Sequence, residues 1–367
     1  MAGFPLFDDY PRLRDRLPRI ALGRWPTPVE RLSRFGEWAG ITNLWVKRED
    51  LSHPACGGNK IRGLEFLLAD ALTGGAKAVL TLGAVGSFHV RATAICARQV
   101  GIDTVAILAH QPRAAYVQRN LAAALDAGAR LLPTRLPLLP LRYVREMARR
   151  DRVSGKRPYI VPPGGTSVLA CVGHVNAAFE LREQVRAGDL SEPDFIFVPL
   201  GSLGTAAGLA LGCSLAGLKT RVVGVVVFSR LYCTRGRWAR MANRTARFMC
   251  GIDTGIPMLT IRASDLLVVR SALGRGYAHF TPGGIEAASR IRAMEDLVLD
   301  GTYSAKMYDG ALRFLRENAW TGRNVLLWHT FCAGVHSGQD VEVRKLPRAL
   351  RAYFTRPLQA LDSEFRR

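Results

Sequence analysis

The sequence lacks any long uncharged apolar run, and this absence limits the kinds of protein it can encode. Although 48% of its 367 residues are hydrophobic, no stretch approaches the roughly 18 uncharged apolar residues that a membrane-spanning helix needs. The first 17 residues, MAGFPLFDDYPRLRDRL, contain acids and have no apolar core, unlike a secretory signal. We therefore expect a cytoplasmic protein without a membrane partner, and the length allows one large or two smaller domains.

Cysteine motifs are also missing. The seven cysteines are scattered, odd in number and never form a CxxC pair, so the sequence predicts neither a disulfide framework nor a metal site. Most of them fit the role of small buried hydrophobic residues. Cys56 and Cys332 are set apart because each adjoins a motif described below.

Lysine and acidic residues are scarce, whereas arginine is abundant. Of 51 basic residues only seven are lysine, and the 30 acidic residues leave a net charge of +21. Such a charge is compatible with a polyanion partner. However, the arginines are spread along the chain with no recognition helix or aromatic–basic motif. We favour a compositional origin and predict no specific nucleic-acid partner.

Apolar β-type runs alternate with helical patterns, which predicts an α/β fold with parallel sheets flanked by helices. The predicted strands are Leu44–Lys47, Ala78–Leu82, Thr104–Leu108, Tyr159–Val161, Phe195–Pro199, Val222–Val227 and Val325–Trp328. The predicted helices are Ile61–Thr73, His89–Val100, Ala114–Ala127, Leu169–Arg186, Thr205–Leu215, Gly283–Met294 and Ala305–Asn318. The Pro- and Leu-rich segment 132–142 is predicted to be a loop, and the basic segment 337–367 is predicted to pack loosely.

Two glycine-rich segments stand at junctions between a strand and a helix. In Gly57-Gly58-Asn59-Lys60, glycines that permit a tight turn could direct the lysine amine into a cleft. In Gly201-Ser202-Leu203-Gly204-Thr205, free amides at a helix start form a cradle for a phosphate group. The second segment lacks both the P-loop ending and the dinucleotide glycine spacing, which favours a single phosphate monoester over a nucleotide. Read alone, the first segment is better explained as a solvated lysine that opens a helix, and the second could reflect tight helix–sheet packing.

Several ordered motifs resemble the D-cysteine desulfhydrase and 1-aminocyclopropane-1-carboxylate (ACC) deaminase family, which has the tryptophan-synthase-β-like fold (fold type II). They span residues 4–334 and include Val46-Lys47-Arg48-Glu49-Asp50-Leu51, Gly57 to Glu65, Val161 to Ser167 and Gly173 to Ala178. The resemblance implies pyridoxal 5′-phosphate (PLP) as cofactor. It also implies a discontinuous large domain (1–60 and 156–336) and a smaller mobile domain (61–155), followed by the basic extension 337–367, with the cofactor in the cleft between the two domains.

The same resemblance assigns roles to individual residues. Lys60 would be the Schiff-base lysine, and the segment Gly201 to Thr205 would hold the phosphate. Ser87, Phe88 and His89 occupy the loop that binds the substrate carboxylate, and Tyr277 and Tyr303 match two active-site tyrosines. Without the resemblance, Ser87 could be a helix cap and the tyrosines could be core residues.

Two positions distinguish the branches of the family. ACC deaminases have Glu after the second tyrosine and Leu in a late His-Xaa-Gly-Gly motif, whereas desulfhydrase-like members have hydroxyl residues at both positions. Here these residues are Ser304 and Thr330. A neutral hydroxyl beside the pyridine nitrogen would weaken the ring as an electron sink, which suffices for β-elimination but less well for ring opening.

The sequence departs from the family around the substrate. Phe88 replaces an Asn expected to hydrogen-bond the 3′-oxygen of the cofactor, and Gly86 replaces a Gln. Tyr-Gly becomes Tyr277-Ala278, and the late motif reads His329-Thr330-Phe331-Cys332. These changes indicate decayed activity or, as we favour because Lys60 and both tyrosines remain, a pocket rebuilt for a bulkier or more apolar substrate.

The expected function is a PLP-dependent lyase, a homodimer, that catalyses β-elimination on a small, D-cysteine-like amino acid. ACC-deaminase-like ring opening and β/γ-replacement on a larger amino acid remain alternatives. A catalytically silent PLP or polyanion binder is the alternative of a different class.

Overall fold

The computed structural model describes residues 4–135, 138–154, 157–331 and 342–366. Within these ranges the chain forms two sheets flanked by helices. The strands are β1 (Val29–Arg31), β2 (Asn43–Arg48), β3 (Ala78–Ala84), β4 (Asp103–Ala109), β5 (Arg130–Thr134), β6 (Tyr159–Val161), β7 (Phe195–Leu200), β8 (Arg221–Val226), β9 (Leu267–Val269) and β10 (Asn324–His329).

Fourteen helices are present in the same ranges. They are α1 (Pro5–Asp9), α2 (Pro11–Arg16), α3 (Ser33–Ala39), α4 (Lys60–Thr73), α5 (Phe88–Gln99), α6 (Ala115–Asp126), α7 (Leu139–Ser154), α8 (Val168–Arg186), α9 (Gly204–Leu215), α10 (Arg235–Cys250), α11 (Pro282–Glu295), α12 (Ser304–Glu317), α13 (Arg348–Thr355) and α14 (Asp362–Arg366). No helix in the described parts of the chain is both long and apolar enough to cross a membrane.

The larger sheet has the strand order β1-β2-β10-β7-β8-β9 and is parallel except for the β1–β2 pair. One face packs against α8, α9 and α10, and the other packs against α3, α11 and α12. Burial on both faces explains why β7 and β8 read as continuous apolar runs rather than alternating ones. The sequence-based prediction of an α/β fold with parallel sheets is confirmed.

The smaller sheet has the order β5-β4-β3-β6 and is parallel throughout. Leu80, Val105 and Ile107 face α7, whereas Ala106 and Leu108 face α5 and α6. The chain returns to the larger sheet only after β6, because Tyr159 pairs with Val79 of β3. β6 thus belongs to the smaller sheet although it lies beyond residue 155, and the domain bounds suggested by the sequence stay a prediction.

The predicted loop at 132–142 is wrong in its described part. β5 runs through Leu132 and Pro133, and α7 begins at Leu139. Proline is tolerated in β5 because the strand lies at the edge of the sheet, where its missing N–H leaves no ladder bond unmade. The interruption by proline and the dense arginines concealed both elements.

The basic C-terminal segment is also better ordered than expected, in its described range 342–366. Leu346, Leu350 and Tyr353 are buried in the cluster that contains α5 and α6. Phe365 packs on Phe280 with ring centroids 5.0 Å apart. This segment therefore packs against the helices of the smaller sheet and, through Phe365, against the cluster on one face of the larger sheet.

Candidate active site

The residues singled out from the sequence follow the carboxyl ends of parallel strands. Ser87 follows β3, Gly164 follows β6, Gly201 follows β7 and Thr330 follows β10. Ligands of open α/β folds bind at this edge because strand ends and helix starts meet there. The two sheets thus present their functional loops to a common region.

Lys60 is the first residue of α4, and its Nζ donates a hydrogen bond to the Gly164 carbonyl at 3.0 Å. Burial lowers the pKa of Lys60 to about 8. A substantial fraction of the amine is therefore neutral near physiological pH, which is the state needed for nucleophilic attack on an aldehyde and for proton abstraction.

A buried ion-pair network anchors the first turn of α4. Arg62 contacts Glu49 at 2.6 Å and Glu180 at 3.0 Å, and Lys47 Nζ contacts Glu180 at 2.6 Å. All four side chains are almost fully buried. Although burial opposes ionisation, Arg62 and Lys47 lower the pKa of Glu180 to about 2. Lys47 and Glu49, together with Glu180, therefore hold Arg62 and with it the helical turn that carries Lys60.

Gly58 shows why the turn before Lys60 requires glycine. Its φ is +114°, and a Cβ there would lie 2.5 Å from the Thr330 carbonyl oxygen. Thr330, which was predicted to bind the cofactor, thus packs its backbone against the lysine loop. The segment 332–341, including Cys332, lies outside the described residues.

The turn that opens α9 forms a cradle with free donors. Leu203 adopts a left-handed conformation with φ of +75°, and the first described backbone hydrogen bond of this turn runs from Ala207 N to Leu203 O at 2.9 Å. The preceding amides therefore remain for a ligand, as at helix starts generally. A non-glycine residue in this conformation costs of order 1 kcal/mol, a strain that concentrates at functional sites.

Polar side chains surround this cradle. Thr166 Oγ1 donates to Ser202 Oγ at 2.7 Å, and Asn59 Nδ2 donates to Thr205 Oγ1 at 2.6 Å. A Cβ on Gly204 would lie 2.9 Å from Thr166 Oγ1, so the Gly204 backbone lies close against that side chain. Amides, hydroxyls and a helix start are a donor set that fits a phosphate monoester.

Asn59 and Thr166 were not assigned roles from the sequence, although both lie in motifs that were recognised. Asn59 directly precedes Lys60, and Thr166 ends the Pro-Gly-Gly-Thr run. Their connection to the phosphate cradle depends on the approach of segments more than 30 residues apart, which no local pattern encodes.

Ser87 lies at the N-cap position of α5, but its side chain makes no capping hydrogen bond. The capping alternative is thus not what the structure shows, and the hydroxyl is available to a ligand. His89 is different, because its Nε2 lies 2.9 Å from Thr81 Oγ1 and its Nδ1 lies 3.4 Å from Thr93 Oγ1. Burial and Lys60 lower the pKa of His89 to about 3. His89 is therefore neutral and buried between Thr81 and Thr93, and its predicted contact with the substrate stays a prediction.

Tyr277 and Tyr303 are brought together, with hydroxyl oxygens 2.6 Å apart. Burial raises the pKa of both phenols, and for Tyr277 the neighbouring Tyr303 adds to the effect. Both therefore stay protonated at neutral pH. Tyr303 also lies beside the phosphate cradle, since a Cβ on Gly201 would be 3.8 Å from its Cε1 atom.

Phe88 belongs to an aromatic wall, defined as Phe88, Tyr116, Tyr303 and Phe331. The Phe88 ring stacks on Tyr116 at 5.4 Å and meets Phe331 edge-on at 4.9 Å. It also lies 6.1 Å from Tyr303, which connects the Ser87 loop to the tyrosine pair. The wall makes this side of the site apolar.

Ser304 begins α12 and is fully buried. Its hydroxyl donates to Asp300 Oδ1 at 2.8 Å and accepts from Asp300 N at 2.7 Å. The single proton of this hydroxyl is therefore committed to a neighbouring carboxylate. Its expected place beside the pyridine nitrogen stays a prediction.

A lysine with a lowered pKa, a phosphate cradle and a pair of protonated tyrosines at one edge of a two-sheet α/β fold define a PLP-dependent enzyme. Residues 20–330 match the family described as pyridoxal-phosphate dependent enzyme. The chain belongs to this family, and its cofactor is pyridoxal 5′-phosphate.

Individual relatives agree with the family assignment. The chain is 32% identical over 320 residues to a putative 1-aminocyclopropane-1-carboxylate deaminase of Pyrococcus abyssi, covering 87% of this chain and 92% of the relative. A similarly described protein of Pyrococcus horikoshii is 29% identical, covering 86% and 92%. The crystal structure of an ACC deaminase homologue superposes with a TM-score of 0.74 at 28% identity, covering 90% of this chain and 95% of the homologue. The predicted fold type is confirmed.

Proposed function

We propose that the protein is a PLP-dependent lyase that eliminates a β-substituent from a small amino acid. Lys60, as the cofactor-bearing residue, would accept the Cα proton, and the cofactor would supply the electron sink. The observation that carries the proposal is that Lys60 and Tyr303 both lie beside the phosphate cradle. Lys60 donates to the carbonyl of Gly164, which packs against Ser202 of the cradle, and Tyr303 lies against Gly201.

The other residues of the site have complementary roles in this proposal. The uncapped Ser87 hydroxyl and the amides near it would hold the substrate carboxylate, while Gly201 to Thr205 would hold the phosphate. Tyr277 and Tyr303 would pass a proton to the departing group, because a protonated leaving group departs more easily. For a D-cysteine-like substrate the products would be sulfide, pyruvate and ammonia.

The aromatic wall favours a leaving group that is larger or more apolar than sulfide. Phe88 supplies apolar ring surface at a position where the family has a polar side chain. Burial of apolar area yields about 25 cal/mol per Å², so an apolar β-substituent would gain affinity there. We therefore expect D-cysteine to be a poor substrate of the native protein.

Attachment of the cofactor is tested by borohydride reduction followed by peptide mapping. Lys306 is a natural internal control, because burial lowers its pKa to about 8 as well. Its amine, however, already donates to the carbonyls of Leu273 and Gly276 at 2.9 and 2.8 Å. We expect trapping at Lys60, and its loss in Lys60→Ala. Trapping at Lys306 would overturn the assignment.

The reaction is tested by a spectral screen of D- and L-amino acids, followed by product analysis. Sulfide with pyruvate indicates elimination from cysteine, and pyruvate with another leaving group indicates elimination from a larger substrate. A coupled amino acid would indicate replacement instead of elimination.

Ring opening of 1-aminocyclopropane-1-carboxylate is the second candidate, favoured by the descriptions of the relatives. Ser304, where ACC deaminases have Glu, argues against it. Formation of 2-oxobutyrate from this substrate would establish ring opening and refute our preference.

Domain organisation and assembly complete the proposal. We expect residues 61–155 to move relative to the remainder when substrate binds, and the enzyme to be a homodimer without a specific nucleic-acid partner. Light scattering of the purified protein measures its mass directly, and a monomer would contradict the expected assembly.

A further inference from the structure

Outside the cofactor site, three soft ligand atoms converge in the protein interior. Cys56 Sγ lies 3.4 Å from His53 Nδ1 and 3.8 Å from Cys96 Sγ, and all three atoms lie within 4.8 Å of one another. Each residue is at least 96% buried. Spacing along the chain predicted no metal site, because Cys96 is distant in sequence from His53 and Cys56 and is supplied by α5.

The two separations that involve Cys56 match those of a tetrahedral zinc centre. With Zn–S of about 2.3 Å and Zn–N of about 2.0–2.1 Å, ideal tetrahedral edges are ~3.8 Å between two sulfurs and ~3.5 Å between sulfur and nitrogen. The observed 3.8 and 3.4 Å distances therefore need little adjustment. His53 and Cys56 are also separated by two residues, a common spacing of zinc ligands on one turn.

The histidine has the tautomer that a metal ligand at Nδ1 needs. Its Nδ1 faces the amides of Ala55 and Cys56, at 3.1 and 3.3 Å, and therefore carries the lone pair. Its Nε2 consequently carries the proton, which faces Gln99 Oε1 at 3.3 Å. A hydrogen bond from the distal nitrogen to an oxygen acceptor is the usual support of a zinc-bound imidazole.

We propose that His53, Cys56 and Cys96 bind one zinc ion. Two thiolates would neutralise the dication, so the complex could remain buried without a net charge. Metal binding would release the thiol protons of both cysteines. The three protein ligands leave one coordination position for water.

Zinc at this place would join two parts of the active site. Cys56 precedes Lys60 by four residues, and Cys96 belongs to α5, which begins at Phe88. The ion would therefore fasten the lysine loop to the helix that presents the substrate loop. It is not needed for the proposed chemistry, so the zinc site and the lyase activity are tested separately.

Metal analysis tests the proposal on tag-free, cofactor-loaded protein that is reduced, supplied with Zn²⁺ anaerobically and desalted. We expect about one zinc per chain, a loss of zinc in Cys96→Ala, and retention in Cys213→Ala, a buried cysteine of α9. Cobalt in place of zinc should give visible ligand-field bands at longer wavelengths than the cofactor absorbs. Zinc well below one per chain, or zinc unchanged in Cys96→Ala, would overturn the site.

A second variant avoids the risk of misfolding. Gln99 is exposed, so Gln99→Leu should preserve the fold while weakening zinc roughly 10- to 100-fold, as for loss of an outer hydrogen bond. Unchanged affinity would contradict the orientation argument. A Cys56–Cys96 disulfide found by mass spectrometry in protein alkylated without prior reduction would refute the zinc site and identify a redox pair instead.

Discussion

Replacing Phe88 by asparagine tests whether the aromatic wall sets substrate choice. The change removes three aromatic pairs, with Tyr116, Phe331 and Tyr303. Each such pair contributes about 0.5–1.5 kcal/mol. Because Phe88 is only half-buried, we take the lower half of that range for each of the three pairs and expect the free energy of unfolding to fall by about 1.5–3 kcal/mol. Urea denaturation of the cofactor-loaded enzyme measures this loss.

The same change should improve turnover of D-cysteine. The new amide is expected to restore a hydrogen bond to the 3′-oxygen of the cofactor, worth about 0.5–1.5 kcal/mol. That corresponds to about a 2- to 10-fold gain in kcat/KM for D-cysteine, measured by sulfide or pyruvate release. Activity on amino acids with an apolar β-substituent should fall.

Phe88→Leu is the matched control, because it keeps apolar volume but offers no hydrogen bond, and it should show no gain with D-cysteine. Restoring the family Gln at Gly86 as well is not expected to work. A Cβ there would lie 2.6 Å from Val117 and 2.9 Å from Tyr116. Efficient cleavage of D-cysteine by the native enzyme, unchanged in Phe88→Asn, would refute the rebuilt pocket.

Three further predictions follow from the anchoring contacts. Because the pKa of Lys60 is about 8, the rate at which apoenzyme binds PLP covalently should rise about tenfold per pH unit below pH 8 and level off above it. Stopped-flow absorbance measures this rate. An inflection near pH 10.5 would contradict the lowered pKa. Glu180→Gln should cost about 3–5 kcal/mol of unfolding free energy, since Lys47 and Arg62 lose a buried partner. The control Glu183→Gln, at an exposed pair, should cost under ~1 kcal/mol. Because the pKa of Glu180 is about 2 in the folded protein, the contribution of this carboxylate to stability should persist down to about pH 4.5 and be lost as the pH falls further towards 2, which urea titrations across pH would show. Gln359→Ala removes the hydrogen bond that Gln359 donates to Ala278 O and the one that it accepts from Phe280 N. The variant should lose about 1–3 kcal/mol of stability and have a lower kcat. An unchanged kcat would refute a role for this contact in placing the tyrosine loop.

Strong local patterns made most of the fold predictable. Long apolar runs indicated strands such as β7 and β8, and the helical spacing of Leu64, Leu67, Leu68 and Ala71 indicated α4. α10 was missed although Trp238, Ala242, Thr245 and Met249 recur on one buried face, because its many arginines obscured the pattern. The short strands β1 and β9 were also missed, and their pairing with β2 and β8 defines them.

The candidate site was predicted in part. The resemblance to the family assigned roles to Lys60, Ser87 and the two tyrosines. In the structure, Ser87 follows the end of β3, and Lys60 and Tyr303 lie beside the phosphate cradle. The pairing of Asn59 with Thr205 and the burial of His89 between Thr81 and Thr93 depend on tertiary approach. No spacing rule could have supplied these contacts.

The C-terminal segment has a consequence for when the enzyme becomes competent during synthesis. Tyr353 hydrogen-bonds the Gln111 backbone, and Gln359 holds the segment that follows Tyr277. The Gln111 backbone and the tyrosine loop therefore wait for Tyr353 and Gln359, which are made later, before their contacts are complete. On the ribosome, both sheets can form before residues 342–366 have left the exit tunnel, so the tyrosine loop would acquire its final support only after β10 has been made. A prematurely terminated chain would thus carry the lysine and the phosphate cradle without a fully fastened pocket.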